Sequence, residues 1–312
     1  MDSLTERAIA LLREDGRASF SDMARRLGTT RANVARRIAP MLESGQLRVV
    51  AAVHPRLLGL DTLAHLTVRA EGDISALAAE IAKLESPVFI SEISGPSQLV
   101  VEVHRASLTE LQEDLQHIRA MPGVLEIQML LYERMLKSFF LGEEPTLFAH
   151  TLDEADLRIM ELLQGDGRLG FAELAEHAQL SISGCRTRVN RLITAGVMKI
   201  GAILSRDSSG TGLPFGFGIS LSGDDQQLVE LIKSQDGVEF LGRTIGRFDI
   251  VATITFASLR DFNEFLASVR AVPSVRVAEQ WLHARVPHER YHQSVHRIRY
   301  QVAAANADAD AS

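Results

Sequence analysis

The sequence predicts an α+β protein built as two tandem copies of one module, and three observations carry that prediction. The tripeptide Asp15-Gly16-Arg17 returns as Asp166-Gly167-Arg168, an offset of 151 residues. The same offset carries Phe20 to Phe171, Gly45 to Gly196, Gly59 to Gly210, Gly95 to Gly246 and Pro122 to Pro273. Within each copy the apolar spacing is helical at first, then from about residue 62 alternates as strands interrupted by two helices. One copy occupies roughly 1–142 and the other roughly 151–292, with GEEPTLFAH as a short linker.

Composition agrees with several small cores. The 312 residues are 46% hydrophobic and 23% charged, with a mean hydropathy of +0.05. No uninterrupted apolar run is long enough to span a bilayer. The opening MDSLTERAIA does not follow the signal-peptide pattern. The lone Cys185 rules out an intrachain disulfide and fits a reducing, cytoplasmic setting. The net charge of −7 argues against a nucleic-acid partner, but residues 1–50 hold nine arginines and six carboxylates. That basic head can engage phosphates whatever the sign of the rest.

Each copy opens with three helices. Leu4, Ala8, Leu11 and Leu12 form one apolar stripe, repeated as Ala155, Ile159, Leu162 and Leu163. After the Asp-Gly turn a short helix carries Phe20, Met23, Ala24 and Leu27, with Ser21 as its expected cap. The second copy offers Phe171, Leu174, Ala175 and Ala178. Gly28-Thr29 and Gln179-Leu180 are turns. The third helix is expected to bury Val34, Ile38, Met41 and Leu42, matched by Cys185, Val189, Leu192 and Ile193. Helix, tight turn, helix is the helix-turn-helix pattern, and LRVVAAV and VMKIGAI follow it as strands of a wing or connector.

The exposed face of the third helix carries the candidate chemistry. In the first copy it presents Arg31, Ala32, Asn33, Arg36 and Arg37; in the second, Ser183, Arg186, Thr187, Arg188 and Arg191. Arg pairs with guanine and Asn with adenine through two hydrogen bonds, each worth ~1–3 kcal/mol of discrimination. These residues are the candidate contacts to double-stranded DNA. Pro40 is expected to kink the first of these helices and Gly184 to weaken the second.

The rear of each copy reads β-α-β-β-α-β, the ferredoxin-like order. The segments are TLAHLTVRA, ISALAAEIAKL, VFISEIS, QLVVEVHR, LTELQEDLQHIRAM and VLEIQMLLY, repeated from FGFGISL to VRVAEQWLH. A small sheet with helices on one face needs a partner sheet on the other, from this chain or a second one. The domains are therefore 1–52 and 151–203 for the two winged helix-turn-helix heads, and 60–142 and 211–292 for the two ferredoxin-like domains. Residues 293–312 form a polar tail expected to be disordered.

The openings LLREDGRASFSDMA and LLQGDGRLGFAELA, the helix ends ESG and TAG, and RTIGRFDIVATI together resemble the leucine-responsive/asparagine-activator (Lrp/AsnC) family of regulators. The resemblance covers about nine-tenths of the chain, twice over. It implies rear domains that dimerise and bind small effectors, typically amino acids, beside a Gly-x-x-Asp turn. Gly246 and Asp249 match that turn; the first copy reads Gly95-Pro96-Ser97-Gln98 and lacks the carboxylate. An effector is thus expected at the second domain. The fused pair is expected to act as its own pseudo-dimer, reading an imperfect palindrome, and to associate into homo-oligomers.

Other features point elsewhere. His288, His292 and His296 would align on a helix, but no cysteine or carboxylate pattern completes a metal site, and none is expected. Cys185, Trp281 and Phe89 are read as packing residues. No nucleophile triad, phosphate loop or carboxylate pair indicates an enzyme, and no cofactor is expected. Siroheme decarboxylases resemble the same paired fold, but carry a strand segment rich in histidine and tyrosine. FISEISGPSQLVVEV and FLGRTIGRFDIVATI contain neither residue. A third possibility is a small-molecule-binding module with vestigial heads.

Overall fold

The computed structural model describes residues 3–138, 144, 152–204 and 212–290. In chain order the first copy folds as α1 (Ser3–Glu14), α2 (Phe20–Leu27), α3 (Arg31–Glu43), β1 (Leu47–Val53), β2 (Thr62–Ala70), α4 (Ile74–Ile81), β3 (Pro87–Ile93), β4 (Leu99–Arg105), α5 (Leu108–Arg119) and β5 (Val124–Ser138). The second follows as α6 (Glu154–Gly165), α7 (Phe171–His177), α8 (Ile182–Thr194), β6 (Met198–Leu204), β7 (Leu213–Leu221), α9 (Gln226–Lys233), β8 (Val238–Ile245), β9 (Ile250–Phe256), α10 (Leu259–Arg270) and β10 (Val275–Glu289). The chain divides into two compact units, one holding both front parts and one both rear parts.

In the front unit each head packs three helices on a small apolar core. Helix α1 buries Thr5, Ala8, Ile9 and Leu12, so its inner face is turned one position from the stripe expected; Leu4 and Leu11 are half-buried. Ser19, not Ser21, caps α2, its side chain accepting from the Asp22 N–H. Gly28 then adopts φ 65° and lets the chain turn at once into α3. Thr30 caps α3 and Ser181 caps α8. Pro40 does not interrupt α3, which runs to Glu43. Pro40 is exposed in the last turn, where the helix continues without its N–H. Val34, Ile38 and Met41 are buried as expected, but Leu42 is half-buried and Ile193 is 40% exposed.

The heads join through β1 and β6, which pair antiparallel from Leu47↔Leu204 to Val53↔Met198. The repeated Asp-Gly-Arg reinforces that junction. Gly16 donates its N–H to the Ile200 carbonyl (3.0 Å) and Gly167 donates to the Val49 carbonyl (2.9 Å). Arg17 donates to the carbonyls of Gly167 (2.8 Å) and Leu169 (2.9 Å). Arg168 returns the contact to Gly16 (2.9 Å) and Ala18 (3.3 Å). The Arg17 guanidinium lies 4.5 Å from the Phe171 ring centroid, and Arg168 lies 5.8 Å from that of Phe20. Burial and the neighbouring Arg168 push the Arg17 pKa down, yet an arginine stays charged. The tripeptide is a turn, and also the seam between copies.

In the rear unit the two expected ferredoxin-like sheets face one another. The first is ordered β3-β4-β2-β5 and the second β8-β9-β7-β10, and β5·β8 and β10·β3 close them into one eight-stranded barrel. Strands β5 and β10 are 15 residues long, long enough to pair with their own sheet and then with the other. The missing cover is thus supplied within the chain. Outward side chains pack under helices. Leu66, Val68, Val101 and Val103 meet Leu77, Ile81, Leu111 and Ile118 of α4 and α5. Phe217, Ile219 and Ile250 meet Leu228, Phe262 and Phe265 of α9 and α10. Inward side chains form a separate cluster of Leu63, Leu130, Tyr132, Met135, Phe248 and Val251.

His288 lies on β10, not on a helix. His292, His296, the tail and most of the linker lie outside the described residues. No described helix is long and apolar enough to cross a membrane.

Two consequences are measurable. A Cβ on Gly167 would sit 2.8 Å from Ile200 Cγ2 and 3.0 Å from the Val50 carbonyl carbon, so Gly167→Ala should cost about 1–3 kcal/mol. Gly165→Ala, with nothing within 4 Å, should instead be neutral or stabilising by about 0.5–1 kcal/mol. Urea unfolding distinguishes the two, and equal effects would remove the close-approach argument. His54, buried at 2% exposure, has its pKa lowered to about 4, first by burial and then by Arg56. The folded state keeps it neutral while the unfolded chain takes up a proton near pH 6.5. Stability should therefore fall by about 3 kcal/mol as pH drops from 6.5 to 4. Parallel pH profiles for wild type and His54→Asn would contradict this.

Candidate nucleic-acid interface and the rear-domain sites

The outer face of α3 is set by what lies beneath it. With Val34, Ile38 and Met41 buried, Arg31, Ala32 and Arg36 are exposed and Asn33 and Arg37 are half-buried at its edge. The first turn of α3 holds no acidic residue, so its positive dipole end adds to Arg31. Asn33 does not offer an open amide edge. Its Nδ2 donates to Thr29 Oγ1 (3.0 Å), and its Oδ1 accepts from Arg36 (2.7 Å) and from Arg37. Asn33 therefore orients Arg36 on the exposed face. Helix α2 brings two further cations, Arg25 and Arg26, which pair with Asp22 and Glu14 on the surface.

Helix α8 is arranged differently. Ser183, Arg186, Thr187 and Arg191 are exposed and Arg188 is half-buried. Thr187 Oγ1 donates to the Ser183 carbonyl (3.0 Å). The Arg186 guanidinium lies 5.1 Å from the Phe171 ring centroid. Arg188 donates to Asp153 (2.6 Å) and Asp156 (3.0 Å), and Arg191 to Asp156 (2.5 Å). Asp156 is buried, with a side chain 1% exposed, and closes the capping box of α6 with Asp153. Taking both arginines away would strand a buried carboxylate, a cost of about 3–5 kcal/mol. The first head has Thr5 at the equivalent of Asp156 and Pro40 at that of Arg191. Cys185 is buried beneath this helix, and burial pushes its thiol pKa up, as for an inert core residue.

The Gly-x-x-Asp turn is built alike in both copies. Gly246 has φ 145° and Gly95 φ 121°. Asp249 Oδ2 accepts from the Leu221 N–H (2.7 Å), and Gln98 Oε1 accepts from the Ala70 N–H (2.9 Å), the equivalent residue. Glutamine and aspartate thus brace the same backbone. Asp249 is exposed, and its Oδ1 makes no hydrogen bond among the described residues.

The barrel interior holds a polar group that the sequence reading missed. His65 Nδ1 lies 2.7 Å from Glu102 Oε1, which also accepts from the Tyr132 hydroxyl (3.0 Å). Burial, then the Glu102 charge, raises the Tyr132 pKa. Trp281 stacks obliquely at 5.7 Å from His65, and His283 Nδ1 lies 2.9 Å from Ser91 Oγ. His65 Nε2 and Trp281 Nε1 are buried with no hydrogen-bond partner among the described residues. Gly216 makes room for the indole, since a Cβ there would lie 2.1 Å from Trp281 Nε1. The signal was present: His65 and Glu102 are polar residues each flanked by apolar neighbours, at directly paired positions of β2 and β4. Glu102 lies within FISEISGPSQLVVEV, whereas His65 and Tyr132 lie on strands outside both stretches compared with the decarboxylases. No group of three or more His, Cys, Asp or Glu among the described residues is placed to hold a metal.

Comparison with known proteins agrees with this architecture. Residues 1–42 match the AsnC-type helix-turn-helix domain, and residues 152–197 match the winged helix-turn-helix DNA-binding family. An uncharacterized HTH-type transcriptional regulator of Pyrococcus abyssi is 31% identical over 146 residues, covering 43% of this chain and 92% of that protein. The HTH-type transcriptional regulator FL11 of the same organism is 29% identical over 126 residues, 40% of this chain and 83% of that one. Each relative corresponds to about one copy of the module. In fold alone, the chain is similar to the siroheme decarboxylase NirDL, with a TM-score of 0.64, 14% identity, and 98% of this chain and 100% of that one covered. With an AsnC-type head and a relative matched over nearly its whole length, the chain belongs to the Lrp/AsnC family of HTH-type transcriptional regulators.

Proposed function

We propose that this regulator reads double-stranded DNA through its helix-turn-helix front, with the outer face of α3, and responds to a small effector, an amino acid or related metabolite, held by the rear domains. The observation that carries the reading is the outer face of α3. Arg31 and Arg36 stand exposed on a helix-turn-helix frame, at a helix start free of acidic residues. Arg37 on the edge of α3 completes the proposed DNA set; Ser183, Arg186, Thr187, Arg188 and Arg191 hold the equivalent surface of α8. Effector contact is proposed at Gly246 and Asp249, where an exposed carboxylate oxygen can pair with an amino group.

One observation favours a second reading, an enzyme of the siroheme-decarboxylase type. The His65–Glu102–Tyr132 group lies inside the barrel, and the NirDL fold matches along the whole chain. A haem-like absorbance change on adding a tetrapyrrole would support that reading, and an unchanged spectrum would count against it.

The test of the main reading is capture of fragmented genomic DNA by the purified protein at near-physiological salt, with and without an amino-acid mixture. Enrichment of a few promoter fragments, altered by the mixture, is expected; no enrichment in either condition would overturn the reading. Arg36→Ala should lower discrimination between captured and random DNA by about tenfold, or ~1.4 kcal/mol, and change random binding far less. Equal losses on both would assign Arg36 to phosphate instead.

A further inference from the structure

We infer that the two heads are functionally unequal: the first reads DNA, and the second serves as the mount that holds it, so one chain presents one reading helix. The inference rests on the DNA-binding function proposed above. The heads share one backbone plan, and the 151-residue offset allows a position-by-position comparison. On the second helix, Arg25 and Arg26 are replaced by Glu176 and His177. On the recognition helix, Arg31 and Arg36 are replaced by Ile182 and Thr187. From Ser3 to Val53 nine arginines stand against five carboxylates, a net +4. The equivalent Glu154–Leu204 holds six basic and six acidic residues, a net charge of zero. Phosphate affinity follows such counts directly.

Geometry deepens the difference. The start of α8, where a recognition helix meets base edges, presents Ile182 with 52% of its surface exposed. The cations that α8 does carry are committed within the head. Arg188 and Arg191 hold the buried Asp156, and Arg186 lies over the same Phe171 ring that Arg17 approaches from the other head. The first head's ion pairs are of another kind. Arg25–Asp22 and Arg26–Glu14 have both partners well exposed, and such pairs exchange readily for a phosphate. The seam itself is kept in both heads: Gly167 matches Gly16, Arg168 matches Arg17 and Phe171 matches Phe20. A chain with one reading helix recognises one half-site, so a palindromic operator takes two chains.

The experiment uses full-length protein and DNA fragments that the wild type enriches. Affinity for enriched and random fragments is measured across a salt series for two double variants. Arg31→Ala with Arg36→Ala should lose at least tenfold on enriched DNA. Ile182→Ala with Thr187→Ala should stay within about twofold of wild type on both. All four side chains are exposed or at a helix surface, and unchanged circular dichroism checks the fold. A graft of Glu176→Arg, Ile182→Arg and Thr187→Arg should create a second contact. It should steepen the dependence of log K on log salt by about 0.9 for each phosphate gained. If the second-head pair costs as much as the first, the inference falls and the proposed function stands. If the wild type enriches nothing, both fall together.

Discussion

The reciprocal grip between Arg17 and Arg168 is the interaction on which the front of the molecule depends. Each guanidinium reaches the opposite head, satisfies carbonyls in its Asp-Gly-Arg turn, and lies against the phenylalanine that begins its second helix. Two conditions make this possible. The chain must approach closely enough for Gly16 and Gly167 to bond the opposite strand, which a Cβ would prevent. The arginine side chains also find their acceptors in the other copy, about 150 positions away in sequence. Duplication within one chain therefore converts what would be a subunit contact into an internal one.

That arrangement explains where the two copies have kept alike and where they have diverged. Positions that hold the backbone persist: the glycines and arginines of the seam, and the side-chain oxygen of Gln98 or Asp249 bracing the residue 28 positions earlier in sequence. Positions that do not hold the frame have drifted. Inside the barrel, the first copy has His65 where the second has Gly216, Ser91 where it has Gly242, Leu130 where it has Trp281 and Tyr132 where it has His283. Small residues in one copy accept rings from elsewhere, as Gly216 accepts the indole and Gly242 approaches Tyr132. The result is an asymmetric interior built on symmetric strands. On the heads the same logic leaves α3 with outward cations and ties those of α8 to Asp156.

Much of this was legible in the sequence, for reasons tied to particular residues. The offset linking Asp15-Gly16-Arg17 to Asp166-Gly167-Arg168 exposed the duplication, and apolar spacing located the helices and the β-α-β-β-α-β order. Chemistry that depends on local pattern was read correctly: the buried Val34 and Ile38, the outward Arg31 and Arg36. What the sequence hid was mostly partnership between distant segments. Arg17 looked like a turn residue because its acceptors lie about 150 positions away. Asp156 meets Arg188 and Arg191 across 32 and 35 positions, a pairing that only the fold shows. His65, Glu102 and Tyr132 come from three strands. Ser21 is the cap the sequence suggests, but the extended backbone and side-chain acceptor before α2 belong to Ser19. Pro40 falls in the last turn of α3, and the helix runs on through it to Glu43.

The central claim, a regulator whose paired heads present one reading helix per chain, is tested most directly by footprinting. Hydroxyl-radical protection would be mapped on a captured fragment at one bound chain per DNA. The account predicts a single protected patch on one face of the duplex, spanning one half-site. Two patches about one helical turn apart, ~10 base pairs, from a single chain would contradict it.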